Sequence, residues 1–155
     1  MWIVISLLAI ALIWALAKKP SGKSATTSAQ SSDIPRLRGN GRFAVEVVGE
    51  SNYTSNFEAI CGPRSRDGVD KQTRALLVLE HNNPHDRNAV RVSIEGMTVG
   101  YLSRSVALDF RRAIKSAGYS KHAIFDCAAI IRGGWDNGRG KRGHYGVWLD
   151  IPKDD

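Results

Sequence analysis

The sequence predicts a mainly β protein: a small, partly closed antiparallel barrel with one or two helices, preceded by a single N-terminal apolar helix. Three observations carry this reading. Five or six short segments between Phe43 and Ile151 alternate apolar and polar residues, the period of a half-buried strand. One longer segment, Ser103 to Gly118, repeats its apolar residues at helical spacing. Trp2 to Ala17 contains one hydroxyl, Ser6, and no charge.

In chain order, "RFAVEVVG" sets Phe43, Val45 and Val47 against Ala44, Glu46 and Val48, a strand pattern. "SNFEAICGP" offers Ser55 or Asn56 as an N-cap and Gly62-Pro63 as a stop, so one or two helical turns follow. "RSRDGVDKQ" reads as an exposed loop. "TRALLVLEH" and "AVRVSI" are strands on either side of "NNPHDRN", and Glu95-Gly96 turns a hairpin into "MTVGYL". Ser103 then caps a helix that places Val106, Ala107, Phe110, Ile114 and Ala117 on one face and stops at Gly118. "HAIFDCAAIIR" and "HYGVWLDI" close the domain as strands, joined by the glycine-rich "GGWDNGRGKRG". No internal repeat is present. Lone strands and a helix of this size bury their apolar faces by rolling into a small barrel.

The first 37 residues are of a different kind. Sixteen helical residues, Trp2 to Ala17, span about 24 Å against a hydrocarbon slab of about 30 Å. Lys18 and Lys19 can snorkel, with Trp2 and Trp14 near the interfaces. Residues 1–19 are therefore expected to be a transmembrane anchor, inserted through residues 2–17. A signal peptide, cleaved or uncleaved, is the alternative, because Ala15-Leu16-Ala17 has the small-x-small form of a cleavage site. No positive charge precedes the apolar run and two lysines follow it, which places the rest of the chain in the cytoplasm of a single-pass protein. Residues 20–37 read as a disordered linker rich in Ser, Thr and Ala, whose section from Ser21 to Asp33 reaches about 20 Å. The domain is expected over residues 38–152, with a tail at 153–155.

The chain has 155 residues and a formal net charge of +7, which favours nucleic acid, anionic lipid or acidic proteins as partners. Two cysteines far apart, Cys61 and Cys127, exclude a disulfide scaffold but not a single bridge, and read as small apolar fillers. "GRGKRG", Gly138 to Gly143, spells G-x-G-x-x-G, but it joins two strands and has no acidic residue about 20 positions on. Arg142 stands where a Walker loop needs Ser or Thr. The segment is instead a basic hairpin loop, in which Lys141 and Arg142 supply charge for phosphate and Trp135 a ring for a base. His81 and His85 are spaced H-x3-H, but Pro84 keeps them off a helix, so neither a metal nor any other cofactor is expected. No nucleophile stands in a recognisable setting, and no catalysis is expected.

"FAVEVVGESNY", then "LEHNNPHDRNAVRV", then "VGYLSRSVA" resembles the HIRAN domain family over about Phe43 to Ile151. The resemblance implies an OB-like β-barrel that binds single-stranded DNA or DNA 3′ ends. It carries over no ATPase, so a separate helicase or nuclease protein is the expected partner. Residue by residue, it implies that Asp86 accepts a hydrogen bond from a terminal 3′ hydroxyl and that Asn83 bonds base and backbone. It further implies that Arg104 contacts phosphate, that Tyr101 takes the place of a pocket histidine, and that Trp135 stacks. The chain departs from the pattern where the turn tyrosine is His85, and where an Arg-Tyr pair becomes Ser51 and Asn52, with Tyr53 the nearby aromatic. Stacking contributes about 1–3 kcal/mol per base, so losing two platforms costs on the order of 2–6 kcal/mol. In the alternative reading Asp86 and Asn88 only bond amides within the turn, as Asx residues do, and the module binds protein or lipid at the cytoplasmic face of a membrane.

Overall fold

A computed structural model describes residues 33–153. The predicted anchor lies outside the described residues, and among the described residues no helix is long and apolar enough to cross a membrane. Six strands form a closed barrel in the order β1-β4-β3-β2-β5-β6. They are β1 (Val45–Val48), β2 (Val69–Leu79), β3 (Val90–Ile94), β4 (Met97–Leu102), β5 (Ile124–Gly133) and β6 (Tyr145–Asp150). All pairs are antiparallel, and β1 closes the seam on β6 through Val45 opposite Leu149 and Glu46 opposite Trp148. The barrel is thus fully closed, with one strand more than a five-stranded OB barrel.

Alternation explains the core. Val45 and Val47 of β1, Leu77 and Leu79 of β2, Val90 and Val92 of β3, and Phe125, Cys127 and Ala129 of β5 all point inward and are buried. Helix α1 (Thr54–Cys61) buries Phe57 and Ile60, and Phe57 stacks on Tyr145 at 4.8 Å between centroids. Helix α2 (Arg104–Ser116) buries Ala107 and Ile114 and sets Phe110 edge-on to Phe125. Both cysteines are free; Cys127 is fully buried, and burial pushes its thiol up to about 12, which leaves it an inert filler.

Four local expectations change. The first strand starts at Val45, because Phe43 adopts φ 49, outside the strand region. Val69–Gln72, read as loop, are the first residues of β2: they pair with Gly133 to Ile130 of β5, and a ladder built from backbone tolerates polar side chains. Neither Ser55 nor Asn56 caps α1; the Asn56 side chain instead donates to Thr98 O at 2.8 Å and ties the helix to β4. Ala117, assigned to the buried face of α2, is exposed. The hairpin at Glu95-Gly96 forms as expected, with φ 51 and 79, the double left-handed conformation of a type I′ turn.

Residues 35–37, which composition places in the linker, run beside β5 past the end of β6. Leu37 N–H donates to Asp126 O and Asp126 N–H to Pro35 O, while Leu37 packs against the core. Asp126 anchors this segment by pairing with Arg74 at 2.6 Å and Arg36 at 3.2 Å. Burial alone would raise the Asp126 pKa, but bonds from Arg74 and then Arg36 outweigh it and hold the carboxyl below its usual range. A depressed carboxylate pKa adds stability above the ordinary range that is lost as pH falls through the folded value. Thermal melts should therefore show wild type losing stability on acidification, and Asp126→Asn starting lower with a flatter acid limb.

Candidate nucleic-acid interface

The β2–β3 connection, Glu80 to Ala89, is folded by its own polar residues. Asn83 Oδ1 accepts the N–H groups of His85 (2.8 Å) and Asp86 (3.2 Å), and Asn83 Nδ2 donates to Glu80 Oε2 at 2.9 Å. Asp86 Oδ1 accepts Asn88 N–H at 2.8 Å, an Asx turn, and Ala89 N–H closes onto Asp86 O at 3.1 Å. Among the described residues no hydrogen bond reaches Asp86 Oδ2.

Two residues not singled out in the sequence hold this turn. Glu80 is a hub: Oε1 accepts from Arg91 Nε at 3.0 Å and from Tyr101 OH at 3.4 Å, while Oε2 takes Asn83. Arg111 reaches over from α2 and donates to three backbone carbonyls, those of Glu80, Asn88 (2.8 Å) and Ala89 (2.9 Å). Its partial burial lowers its pKa, and the nearby Asp86 charge opposes that shift. A signal for Arg111 was present. It lies seven residues after Arg104, two helical turns, so both arginines share a face of α2.

The turn faces a cleft of about 340 Å³, walled by the end of β1, the Glu50–Tyr53 turn, the end of β4 and the start of α2. Asn52, Tyr53, Asn83, His85, Asp86, Tyr101 and Arg104 all line it, together with Val48, Gly49, Ala89 and Leu102. Gly100 makes the β1–β4 wall possible, since a Cβ there would meet Val47 Cγ1 at 2.5 Å and Val48 O at 2.6 Å. Ser103 caps α2 by accepting Val106 N–H, and Arg104 projects from that first turn toward the His85 carbonyl, 3.5 Å away. Tyr53 and Tyr101 lie 6.5 Å apart between ring centroids. Burial, the Tyr53 hydroxyl and the Glu80 charge push the Tyr101 phenol up to about 12, so it keeps its proton.

Asn83 has a structural job beside the one expected. Both its acceptor lone pairs and one amide hydrogen are spent inside the turn, which leaves one N–H for anything in the cleft. It is mainly the clasp that presents Asp86. Trp135, Lys141 and Arg142 do not line the cleft. They belong to the β5–β6 hairpin, which Asx bonds shape: Asp136 Oδ1 accepts Gly138 N–H and Asn137 Oδ1 accepts Arg139 N–H. Trp135 packs against Gly143, where a Cβ would sit 2.2 Å from the indole nitrogen. Arg142 faces a second hollow of about 460 Å³, but there it is paired with Asp136 at 2.8 Å, as Arg64 is with Glu58 at 2.8 Å. A phosphate gains little from cations already neutralised. Among the described residues no cluster of three or more His, Cys, Asp or Glu is arranged to hold a metal ion.

Comparison with known proteins adds one finding: the family model of the HIRAN domain matches residues 40–129, more than half of the chain. That range contains the whole cleft and ends before the β5–β6 hairpin and β6. No curated protein and no solved structure matches the chain at a significant level.

Proposed function

Since the chain belongs to the HIRAN domain family, whose members are DNA-binding modules, we propose that its cleft receives the 3′ end of a single DNA strand and performs no chemistry of its own. The observation that carries this reading is the half-buried Asp86 carboxylate. One oxygen is locked to the Asn88 amide, no hydrogen bond among the described residues occupies the other, and the residue lines a cleft rimmed by Arg104, Tyr53, Tyr101 and His85. An ionised carboxylate accepts a hydroxyl hydrogen and repels a terminal phosphate, so the group selects the type of end. Arg104, exposed at the N-terminus of α2, supplies a cation for the adjoining backbone phosphate, where the helix dipole also favours an anion. Tyr53 and His85 offer faces for a base.

In the same reading residues 2–17 cross a membrane and the domain stands on its cytoplasmic side as a stand-alone, tethered module. A separate helicase or nuclease acts on the strand it holds. An isotope-labelled chain of residues 33–153 titrated with a short single strand should shift amides of residues 48–53, 83–89 and 101–104. Shifts confined to the β5–β6 hairpin would sink the assignment. Arg104→Gln should weaken binding across all sequences and lower the slope of log affinity against log salt by about 0.7, one single-strand phosphate contact. An unchanged slope would remove Arg104 from the interface. Binding of the same chain to anionic vesicles, with no affinity for DNA, would favour the protein or lipid interaction module.

A further inference from the structure

Helix α2 carries Arg104, Arg111 and Lys115 within about 40° of one another around its axis. That face lies against the β2–β3 turn. Arg104 reaches toward the His85 carbonyl, and Arg111 donates to the carbonyls of Asn88, Ala89 and Glu80. Beyond the end of α2, His81 Nε2 lies 2.7 Å from Lys121 O, which brings the α2–β5 connection against the base of the same turn. A seam between turn and helix therefore runs from the cleft to Lys121. Its charge is of one sign. Arg87, Arg104, Lys115 and Lys121 are exposed, and among the described residues none of the four is paired with a carboxylate, whereas Arg74, Arg132 and Arg142 each are. The acids nearby are engaged elsewhere. Glu80 pairs with Arg91, Asp86 belongs to the cleft, and Asp109 lies about 140° from Arg104 around α2 and pairs with Arg112.

We propose that this seam carries the sugar–phosphate backbone of the single strand on the 5′ side of the captured end. The inference rests on the reading that the cleft holds a 3′ end. Arg104 belongs to both surfaces, so a strand that leaves the cleft past Arg104 is already on the seam. From Arg104 to Lys115 the helix extends the positive strip by about 16 Å. Single-strand sites on small barrels take about 4–16 nucleotides, so a cleft for the terminus is only the first part of such a site. Exposed cations hold phosphates without reading sequence and release counterions as they do so. Arg111 adds charge to the strip but no free donor for a phosphate, because its guanidinium is spent on the turn.

The test uses the full chain in a neutral detergent and 3′-hydroxyl strands of about three and about twelve nucleotides. The long strand should bind about tenfold tighter at low salt. Its slope of log affinity against log salt should be steeper by about 2, three single-strand phosphates at about 0.7 each. Arg87→Gln, Lys115→Gln and Lys121→Gln combined should remove that advantage and the extra slope. The short strand, and the preference for a 3′ hydroxyl over a 3′ phosphate, should stay as in wild type. Arg139→Gln with Lys141→Gln, on the β5–β6 hairpin, should change the binding of neither strand. A long strand that keeps its advantage in the triple variant overturns the seam, while intact end selection leaves the cleft standing. An advantage lost in the hairpin variant instead sends the strand over the hairpin and overturns the seam as well. If a blunt duplex gains as much from the three cations as the long strand does, the seam is a general phosphate patch and the proposal fails. Absence of end selection in wild type sinks the cleft, and with it a strand threaded from it.

Discussion

Asp86→Asn weakens binding of a 3′-hydroxyl single strand by about tenfold to a hundredfold, the value of a hydrogen bond to a charged acceptor, about 1.5–3 kcal/mol. The same change strengthens binding of the 3′-phosphate strand. Asparagine keeps an oxygen for the Asn88 N–H, so the Asx turn persists and only the charge is lost. Repulsion between unit charges about 4 Å apart runs from about 1 kcal/mol in water to about 4 kcal/mol near a protein surface, and the substitution relieves it. Fluorescence polarisation with two strands differing only in the terminal group measures both effects. Parallel losses for the two strands would mean that the residue merely shapes the turn.

Arg111→Ala loses stability and binding together, by about 2–3 kcal/mol in thermal or denaturant unfolding. Three carbonyls at the two ends of the turn, those of Glu80, Asn88 and Ala89, share its guanidinium, and hydrogen bonds from a charged donor are worth about 1.5–3 kcal/mol. The side chain is half-buried rather than sealed from water, which keeps the total well below three such bonds. Arg111→Lys should recover only part of the loss, because a single ammonium cannot span the positions that a planar fork reaches. Since Arg111 does not line the cleft, weaker DNA binding by a stably folded Arg111→Lys would report on the placement of Asp86. Unchanged unfolding and binding in the alanine variant would show that the turn holds its shape without the helix.

Much of this was legible beforehand because it depends on period and on turn chemistry. Alternation located β1, β3, β4, β5 and β6, the 3.6-residue spacing located α2, and Glu95-Gly96 located the hairpin. The first half of β2 was hidden because Asp70, Gln72 and Arg74 face solvent and pair through backbone alone. The turn motif and the "VGYL" step brought Asn83, His85, Asp86, Tyr101 and Arg104 to one cleft, where Asn52 and Tyr53 join them from the first connection. What stayed hidden were the supports. Glu80 acts through Asn83, Arg91 and Tyr101, a set that no single period connects, and Arg111 acts through backbone carbonyls, so its two-turn spacing from Arg104 was the one hint of it. Trp135, Lys141 and Arg142 were named by composition and lie outside the cleft, on the β5–β6 hairpin, where Arg142 pairs with Asp136 and the indole packs against Gly143.

End selection by wild type is the most direct test. One single-stranded sequence is presented to residues 33–153 with a 3′ hydroxyl, with a 3′ phosphate, and with its 3′ end paired in a blunt duplex, at one fixed salt concentration. A cleft whose unbonded carboxylate oxygen meets the terminal sugar should bind the free hydroxyl end tightest by about tenfold or more. Equal affinity for all three ends, falling together as salt rises, would mean that the protein holds DNA by its phosphates alone and that Asp86 reads nothing.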